Sequence, residues 1–138
     1  MVKLNPYISF RDTAREALEF YQSVLGGELE ISTFGSMPGM GQDPSEDDLI
    51  LHGQLTTVDG MVLMASDTPS NMEFRVPQGV SVSISGSESD RLHAVWDGLV
   101  VGGTVTAPLG PAPWGGEFGM VTDRFGIDWM VSVDENYG

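Results

Sequence analysis

The stretch that decides the fold runs from residue 13 to residue 29 and reads TAREALEFYQSVLGGEL. Thr13 and Glu16 have the spacing of a capping box, and Gly26 or Gly27 is suited to end a helix because glycine adopts left-handed backbone angles without strain. Between them, apolar residues recur three and four positions apart, as one face of an amphipathic helix requires: Ala14, Ala17, Leu18, Tyr21, Val24 and Leu25. The stretch predicts a helix that packs one face on a sheet.

A second stretch of the same design follows about 75 residues later, where residues 87–105 read SESDRLHAVWDGLVVGGTV. Its apolar positions again fit one helical face, and a Gly-Gly pair again follows the helix. Two turns, Asp59-Gly60 and Phe125-Gly126, lie 66 residues apart, and each precedes an apolar run typical of a strand. The chain is therefore predicted to consist of two similar modules.

Apolar runs bounded by glycine or polar residues flank both helices and are predicted as strands. They cover residues 3–10, 28–34, 50–58 and 61–66 in the first module, and residues 79–85, 104–108, 117–122 and 127–133 in the second. The predicted fold is α+β, with the order βαβββ twice. We expect one domain over residues 1–138, with modules 1–67 and 79–134 joined by a linker at 68–78.

A long loop at residues 36–48 has the composition of a lid or of a disordered segment. It carries Met37 and Met40, whose adaptable side chains suit a lid. Its acidic residues lack the spacing of a calcium-binding loop, so a solvated charge run is expected there.

Composition excludes several classes of protein. The chain has 138 residues and no cysteine, which rules out disulfides, thiolate zinc sites and cysteine nucleophiles. Twenty acidic and six basic residues give a net charge of -14, which argues against nucleic acid or an anionic membrane as a partner. No apolar run is long enough to span a bilayer, and no secretory signal is evident, so a cytoplasmic location is expected.

Four phrases of the sequence resemble the vicinal-oxygen-chelate superfamily of glyoxalase I, extradiol dioxygenases and bleomycin-resistance proteins. Within it they are most similar to the PhnB-like branch. They are NPYISF at 5–10, EALEFY at 16–21 with LGGEL at 25–29, FGSMP at 34–38, and VTDRFGIDWM at 121–130. The resemblance implies that each module curls its sheet into a half-barrel and that a site lies inside the curl.

In metal-dependent members of that superfamily, the ligands come from the first and last strand of each module. The corresponding last-strand positions here are Met64 and Met130, whose thioethers are poor ligands for a hard divalent ion. On the first strands the candidates are Asn5 or Tyr7, and Val80, Ser81 or Ser83, none of which is His, Asp or Glu. We therefore expect no metal and no other cofactor, and keep a divalent metal as the alternative.

His52 and Glu117 are the candidate catalytic residues. His52 is interpreted either as a ligand donor or general base facing the curl, or as a strand histidine satisfied by a backbone carbonyl. Glu117 is either a pocket carboxylate with a raised pKa or an exposed acid at the start of a strand. The predicted ligand pocket comprises Tyr7, His52, Met64, Trp114, Phe118 and Met130. His93 is interpreted as a surface residue.

The sequence is compatible with three functions, and it leaves open whether the protein is an enzyme. The first is a homodimeric protein of the PhnB-like kind that binds a small, partly apolar organic molecule without the four metal ligands of the superfamily. The second is a metal-dependent lyase or dioxygenase that uses His52. The third is an interaction module that uses its acidic faces. Methyltransferase activity is not expected, because no Gly-rich nucleotide-binding motif is present.

Overall fold

The computed structural model describes residues 2–37, 39, 43–134 and 136. The chain divides into two compact units, Met1–Val76 and Pro77–Gly138. The division falls inside the segment 68–78 that the sequence marks as a linker. Each unit has its own sheet and helix and is described by itself.

Unit 1 contains strand β1 (Tyr7–Phe10), helix α1 (Ala14–Leu25) and strands β2 (Glu28–Thr33), β3 (Ile50–Thr56) and β4 (Val62–Asp67). Two short 3-10 turns, Phe34–Ser36 and Pro44–Glu46, lie between β2 and β3. The strands are ordered β1-β4-β3-β2 in the sheet. β1 runs parallel to β4, whereas β3 is antiparallel to both of its neighbours.

Unit 2 repeats this arrangement with strand β5 (Ser81–Gly86), helix α2 (Ser89–Leu99) and strands β6 (Thr104–Pro111), β7 (Glu117–Thr122) and β8 (Asp128–Val133). Its sheet order is β5-β8-β7-β6, again with one parallel pair, β5 with β8. The predicted α+β fold with two βαβββ modules is confirmed. The first strand is shorter than expected, since β1 begins at Tyr7 rather than Lys3.

Each helix packs on its sheet through a large side chain that lies over a glycine. A Cβ atom at Gly53 of β3 would collide with the Leu18 side chain of α1, and a Cβ at Gly119 of β7 would lie 2.9 Å from the Trp96 ring of α2. Gly53 and Gly119 stand 66 residues apart, the same offset as the two turns. Glycine at these positions lets the helix approach the sheet closely.

The capping box predicted at the start of α1 is not formed. Thr13 at the start of α1 and Glu88 at the start of α2 make no side-chain capping hydrogen bond. Instead, the backbone N–H of Ala14 donates to the carboxylate of Asp67, which arrives from β4. A carboxylate from β4 thus satisfies the N–H of the first helical residue, one of the donors at a helix start that have no acceptor within the helix. The predicted helix end is confirmed, since Gly26 follows α1 with a φ of 71°.

The side of each sheet opposite its helix carries half-buried or exposed side chains. In β4, for example, Leu63, Ala65 and Asp67 are buried, whereas Val62, Met64 and Ser66 alternate with them and are only partly buried. We call the side of the unit 1 sheet that α1 does not cover open face 1, and the corresponding side of the unit 2 sheet open face 2. These faces contain most of the predicted site residues.

Candidate functional site

Strand register places Tyr7 and Met64 side by side on open face 1. Tyr7 pairs with Met64, and Met64 also pairs with Gln54 on the other neighbouring strand. Directly paired residues of adjacent strands point to the same side of a sheet. One row across the sheet therefore presents a phenol, a thioether and an amide.

Tyr7 and His52 form the polar centre of open face 1. The Tyr7 hydroxyl lies 3.2 Å from Nδ1 of His52, and the two ring centroids are 5.6 Å apart with an interplanar angle of 31°. Tyr7 is 50% exposed and His52 is half-buried. β4 lies between β1 and β3, so Tyr7 and His52 come from strands that are not neighbours. Their contact crosses β4 at Met64 and Ser66.

Either partner can donate the hydrogen bond between Tyr7 and His52. If the Tyr7 hydroxyl donates to Nδ1, the Nε2–H of a neutral His52 is a donor to a ligand oxygen. If Nδ1–H donates to the Tyr7 hydroxyl oxygen, Nε2 has the lone pair of a general base. The contact therefore orients the imidazole and leaves Nε2 as the ring nitrogen that can bind a ligand or accept a proton.

Open face 2 carries an apolar patch among serine and threonine side chains. Met120 and Met130 are paired across β7 and β8, and Phe118 lies two residues before Met120 on the same side of the sheet. The ring of Trp114, in the turn between β6 and β7, meets the Phe118 ring edge-on at 5.4 Å between centroids. Trp114 is 70% exposed, so this aromatic surface is accessible within unit 2.

Glu117 lies on the other side of the unit 2 sheet from Phe118 and Met130. Its carboxylate is 2.6 Å from Nε2 of His93 on α2, with the two side chains 33% and 45% exposed. The expectation of His93 as a surface residue missed this partner. The spacing of residues could have indicated this contact. His93 precedes Trp96 by nearly one helical turn, so the two side chains lie on one side of α2. Trp96 packs over Gly119, which follows Glu117 by two residues.

The described part of the long loop is fastened to unit 1. The N–H of Gly35 donates to the backbone oxygen of Asp47, and the Glu46 carboxylate accepts from the N–H and hydroxyl of Ser70. Backbone and side-chain hydrogen bonds from Ser45 lower the pKa of Asp43. Residues 38 and 40–42, and with them Met40, lie outside the described residues. Whether the loop acts as a lid stays a prediction.

The residues of the two open faces do not fit the metal site of the superfamily's metal-dependent members. Among the described residues, no group of three or more His, Asp or Glu side chains is placed to hold a metal ion. The corresponding strand positions present Met64 and Met130 instead. We therefore derive no chemical step through a metal. In the described part of the chain, no helix is long and apolar enough to cross a bilayer.

The chain has two βαβββ modules in tandem, and each has a sheet with a helix on one side and an open face on the other. This arrangement defines a protein of the vicinal-oxygen-chelate fold. A family model described as 3-demethylubiquinone-9 3-methyltransferase matches residues 2–132, and the chain belongs to this family. The predicted assignment to the PhnB-like branch of the superfamily is confirmed.

Solved structures share the fold. Protein PA1353 from Pseudomonas aeruginosa is 36% identical, with a TM-score of 0.86 and coverage of 97% of this chain and 98% of that one. A PhnB protein from Bacillus cereus is 23% identical, with a TM-score of 0.74 and coverage of 96% and 99%. A glyoxylase/bleomycin resistance protein/dioxygenase domain from Frankia sp. EAN1pec shares the fold at 12% identity, with a TM-score of 0.65 and coverage of 97% and 98%.

Proposed function

We propose that this chain is a PhnB-like binding protein that takes up a small, partly apolar organic molecule on open face 1, without the metal quartet. The observation that carries the proposal is the hydrogen-bonded pair of Tyr7 and His52 beside Met64. Ligand sites typically combine apolar surface with a few fixed polar groups, and this arrangement has both. Trp114, Phe118 and Met130, which lie in unit 2, stay predicted ligand contacts.

The side chains of this set suit a ligand with a flat apolar part and one polar group. The rings of Tyr7 and His52 are tilted by 31° and offer flat surface, and the thioether of Met64 adapts to different apolar shapes. Nε2 of His52 supplies a hydrogen bond in a direction that Tyr7 holds. The pair of Tyr7 and His52 can therefore orient a bound ligand without catalysing a reaction of that ligand.

A second candidate function is a lyase or dioxygenase of the same superfamily that uses His52 as a general base or as a ligand to a divalent metal. The contact between Nδ1 of His52 and Tyr7 favours it, because the arrangement in which Nδ1–H donates leaves a lone pair on Nε2. Glu117 stays a predicted catalytic residue of this candidate, although its carboxylate contacts His93 beneath α2.

Ligand binding is tested by thermal stabilisation of the purified protein with a library of small aromatic and aliphatic molecules. Each tenfold excess of a ligand over its dissociation constant adds about 1.4 kcal/mol to the free energy of unfolding. We expect His52→Ala and Tyr7→Phe to weaken binding of a hit by about tenfold or less, the range of one lost hydrogen bond. His93→Ala, which removes the other histidine, is the matched control and should bind normally.

The proposal fails if no molecule in the library stabilises the protein, or if the hits bind His52→Ala and wild type equally well. Elemental analysis of freshly purified protein separates the two candidates. Less than about a tenth of an equivalent of metal, with no activity gained on adding nickel, zinc, iron or manganese, would reject a metal-dependent enzyme. A stoichiometric metal that is lost in His52→Ala would reject the metal-free proposal.

A further inference from the structure

The basic residues of this protein lie outside the described strands of both sheets. None of the six basic residues lies in any of the eight strands: they are Lys3, Arg11, Arg15, Arg75, Arg91 and Arg124. The strands do carry acidic residues, and those that belong to the open faces are Glu28, Glu30 and Asp128. Each open face thus has negative charge without a lysine or arginine on its strands.

Several of the basic side chains are engaged away from the open faces. The Arg11 guanidinium donates to the backbone oxygen of Met72, 2.9 Å away, and lies over the Phe74 ring. Arg124 donates to the backbone oxygen of Val101. Arg15 is exposed on α1, the helix that covers the opposite side of the unit 1 sheet. Lys3 precedes β1 and is four residues away from Tyr7 in the chain.

Glu30 is the acidic residue best placed to act on a ligand beside His52. It pairs directly with Gln54, and the next pair on that side of the ladder joins Ser32 to His52. Glu30 is therefore a diagonal neighbour of His52, and such neighbours in an antiparallel pair lie about 7 Å apart. Glu30 is also exposed, as expected for a residue on an edge strand that faces away from α1.

We infer that open face 1 selects neutral or positively charged ligands over anionic ligands of the same shape, and that Glu30 is the residue that sets this selectivity. The inference rests on the proposed function, because it concerns the ligand of the same site. A carboxylate bound near His52 would lie close to the Glu30 carboxylate with no basic strand residue to offset it. Two unit charges about 7 Å apart in a largely aqueous setting change a dissociation constant by about threefold.

The test uses three probes with one aromatic skeleton: 2-naphthalenemethanol, 2-naphthylmethylamine and 2-naphthoate. Their dissociation constants are measured by calorimetry at low salt and again at about 0.5 M salt, where the Debye length falls to a few ångströms. We expect the wild type to bind the ammonium probe about fivefold or more tighter than the carboxylate, and the alcohol about threefold tighter than the carboxylate. High salt should reduce the difference between the two charged probes.

Two charge-reversal variants separate the local effect of Glu30 from the net charge of the protein. Glu30→Lys should shift the ratio of the two charged probes' dissociation constants by at least about tenfold toward the carboxylate, because the change reverses the sign of the interaction with both probes. Glu19→Lys makes the same change in net charge on the exposed side of α1 and should leave the ratio nearly unchanged. Circular dichroism and binding of the alcohol confirm that both variants are folded.

The outcomes are distinguishable. Wild type that binds the carboxylate as tightly as the ammonium probe, or variants at positions 30 and 19 that act alike, would overturn the inference on selectivity while the proposed site stands. If none of the three probes binds, or if His52→Ala leaves binding of the alcohol unchanged, the proposed function fails for this class of ligand and the inference falls with it.

Discussion

At the level of single residues, two buried carboxylates satisfy N–H groups that have no partner within their own helix or strand. Asp67 is 4% exposed, and its two oxygens accept the backbone N–H groups of Ala14 and Ile50, each at 2.9 Å. One side chain at the end of β4 thereby joins the start of α1 to the start of β3. Asp123 has a comparable role in unit 2, where it accepts from the Ile127 N–H and from the indole N–H of Trp129.

Replacing Asp67 by alanine is expected to lower the free energy of unfolding by about 2 to 5 kcal/mol. The change leaves two buried backbone N–H groups without an acceptor, and each such group costs about 1 to 3 kcal/mol. Urea denaturation of Asp67→Ala against wild type measures the loss. Asp48→Ala, at an exposed position, removes the same charge and should stay within about 0.5 kcal/mol of wild type. Equal effects of the two substitutions would contradict the role of Asp67.

At the scale of elements, contacts between helix and sheet fix how each module is assembled. Leu18 lies over Gly53 in unit 1, and Trp96 lies over Gly119 in unit 2. The contact between His93 and Glu117 adds a polar link between α2 and β7. Because both of these side chains are partly exposed, solvent screens that link, and the apolar contacts dominate the packing.

Gly53→Ala is expected to destabilise the protein by about 1 to 3 kcal/mol, since the added methyl group forces Leu18 or the backbone of α1 to move. Leu18→Ala alone should cost about 2 to 5 kcal/mol through the cavity it leaves. The double variant should cost less than the sum, because the shorter side chain makes room for the methyl group.

Thermal and urea unfolding of the two single variants and the double variant test this expectation. Gly110→Ala is the control, because a Cβ atom there would meet only a backbone oxygen at 4.0 Å. Additive losses in the Gly53 and Leu18 pair would show that α1 does not rest on Gly53 as described.

At the scale of the whole molecule, each unit contains a four-stranded sheet with two edge strands, β1 and β2 in unit 1 and β5 and β6 in unit 2. Edge strands offer unpaired backbone groups and commonly mediate association. Closed symmetric dimers are the most frequent assembly of soluble chains. We accordingly propose that two copies of this chain associate.

A homodimer predicts a light-scattering mass of twice 14.8 kDa, the mass of one chain. The net charge of -14 opposes association of two copies, so the dimer should be stronger at moderate than at very low salt. Size-exclusion chromatography coupled to light scattering, at two salt concentrations and several protein concentrations, measures both effects. A mass of one chain under all conditions would contradict the proposal.

The repeated helix, the Gly-Gly endings and the two turns 66 residues apart were sufficient to predict two βαβββ modules. These signals are local, because hydrophobic periodicity and glycine's backbone freedom depend on a few neighbouring residues. The same local patterns misled at the start of α1, where Thr13 makes no capping hydrogen bond. The N–H of the first helical residue, Ala14, instead donates to Asp67, 53 residues further along the chain.

The fold class, the family and the thioethers at the positions of the metal ligands could all be predicted from the amino-acid sequence. The contact of Tyr7 with His52 across an intervening strand, and that of Glu117 with His93 rather than with Phe118, could be seen only in the folded chain. The physical reason is strand register: a shift of one residue sends a side chain to the opposite side of the sheet, and register depends on contacts between distant parts of the chain.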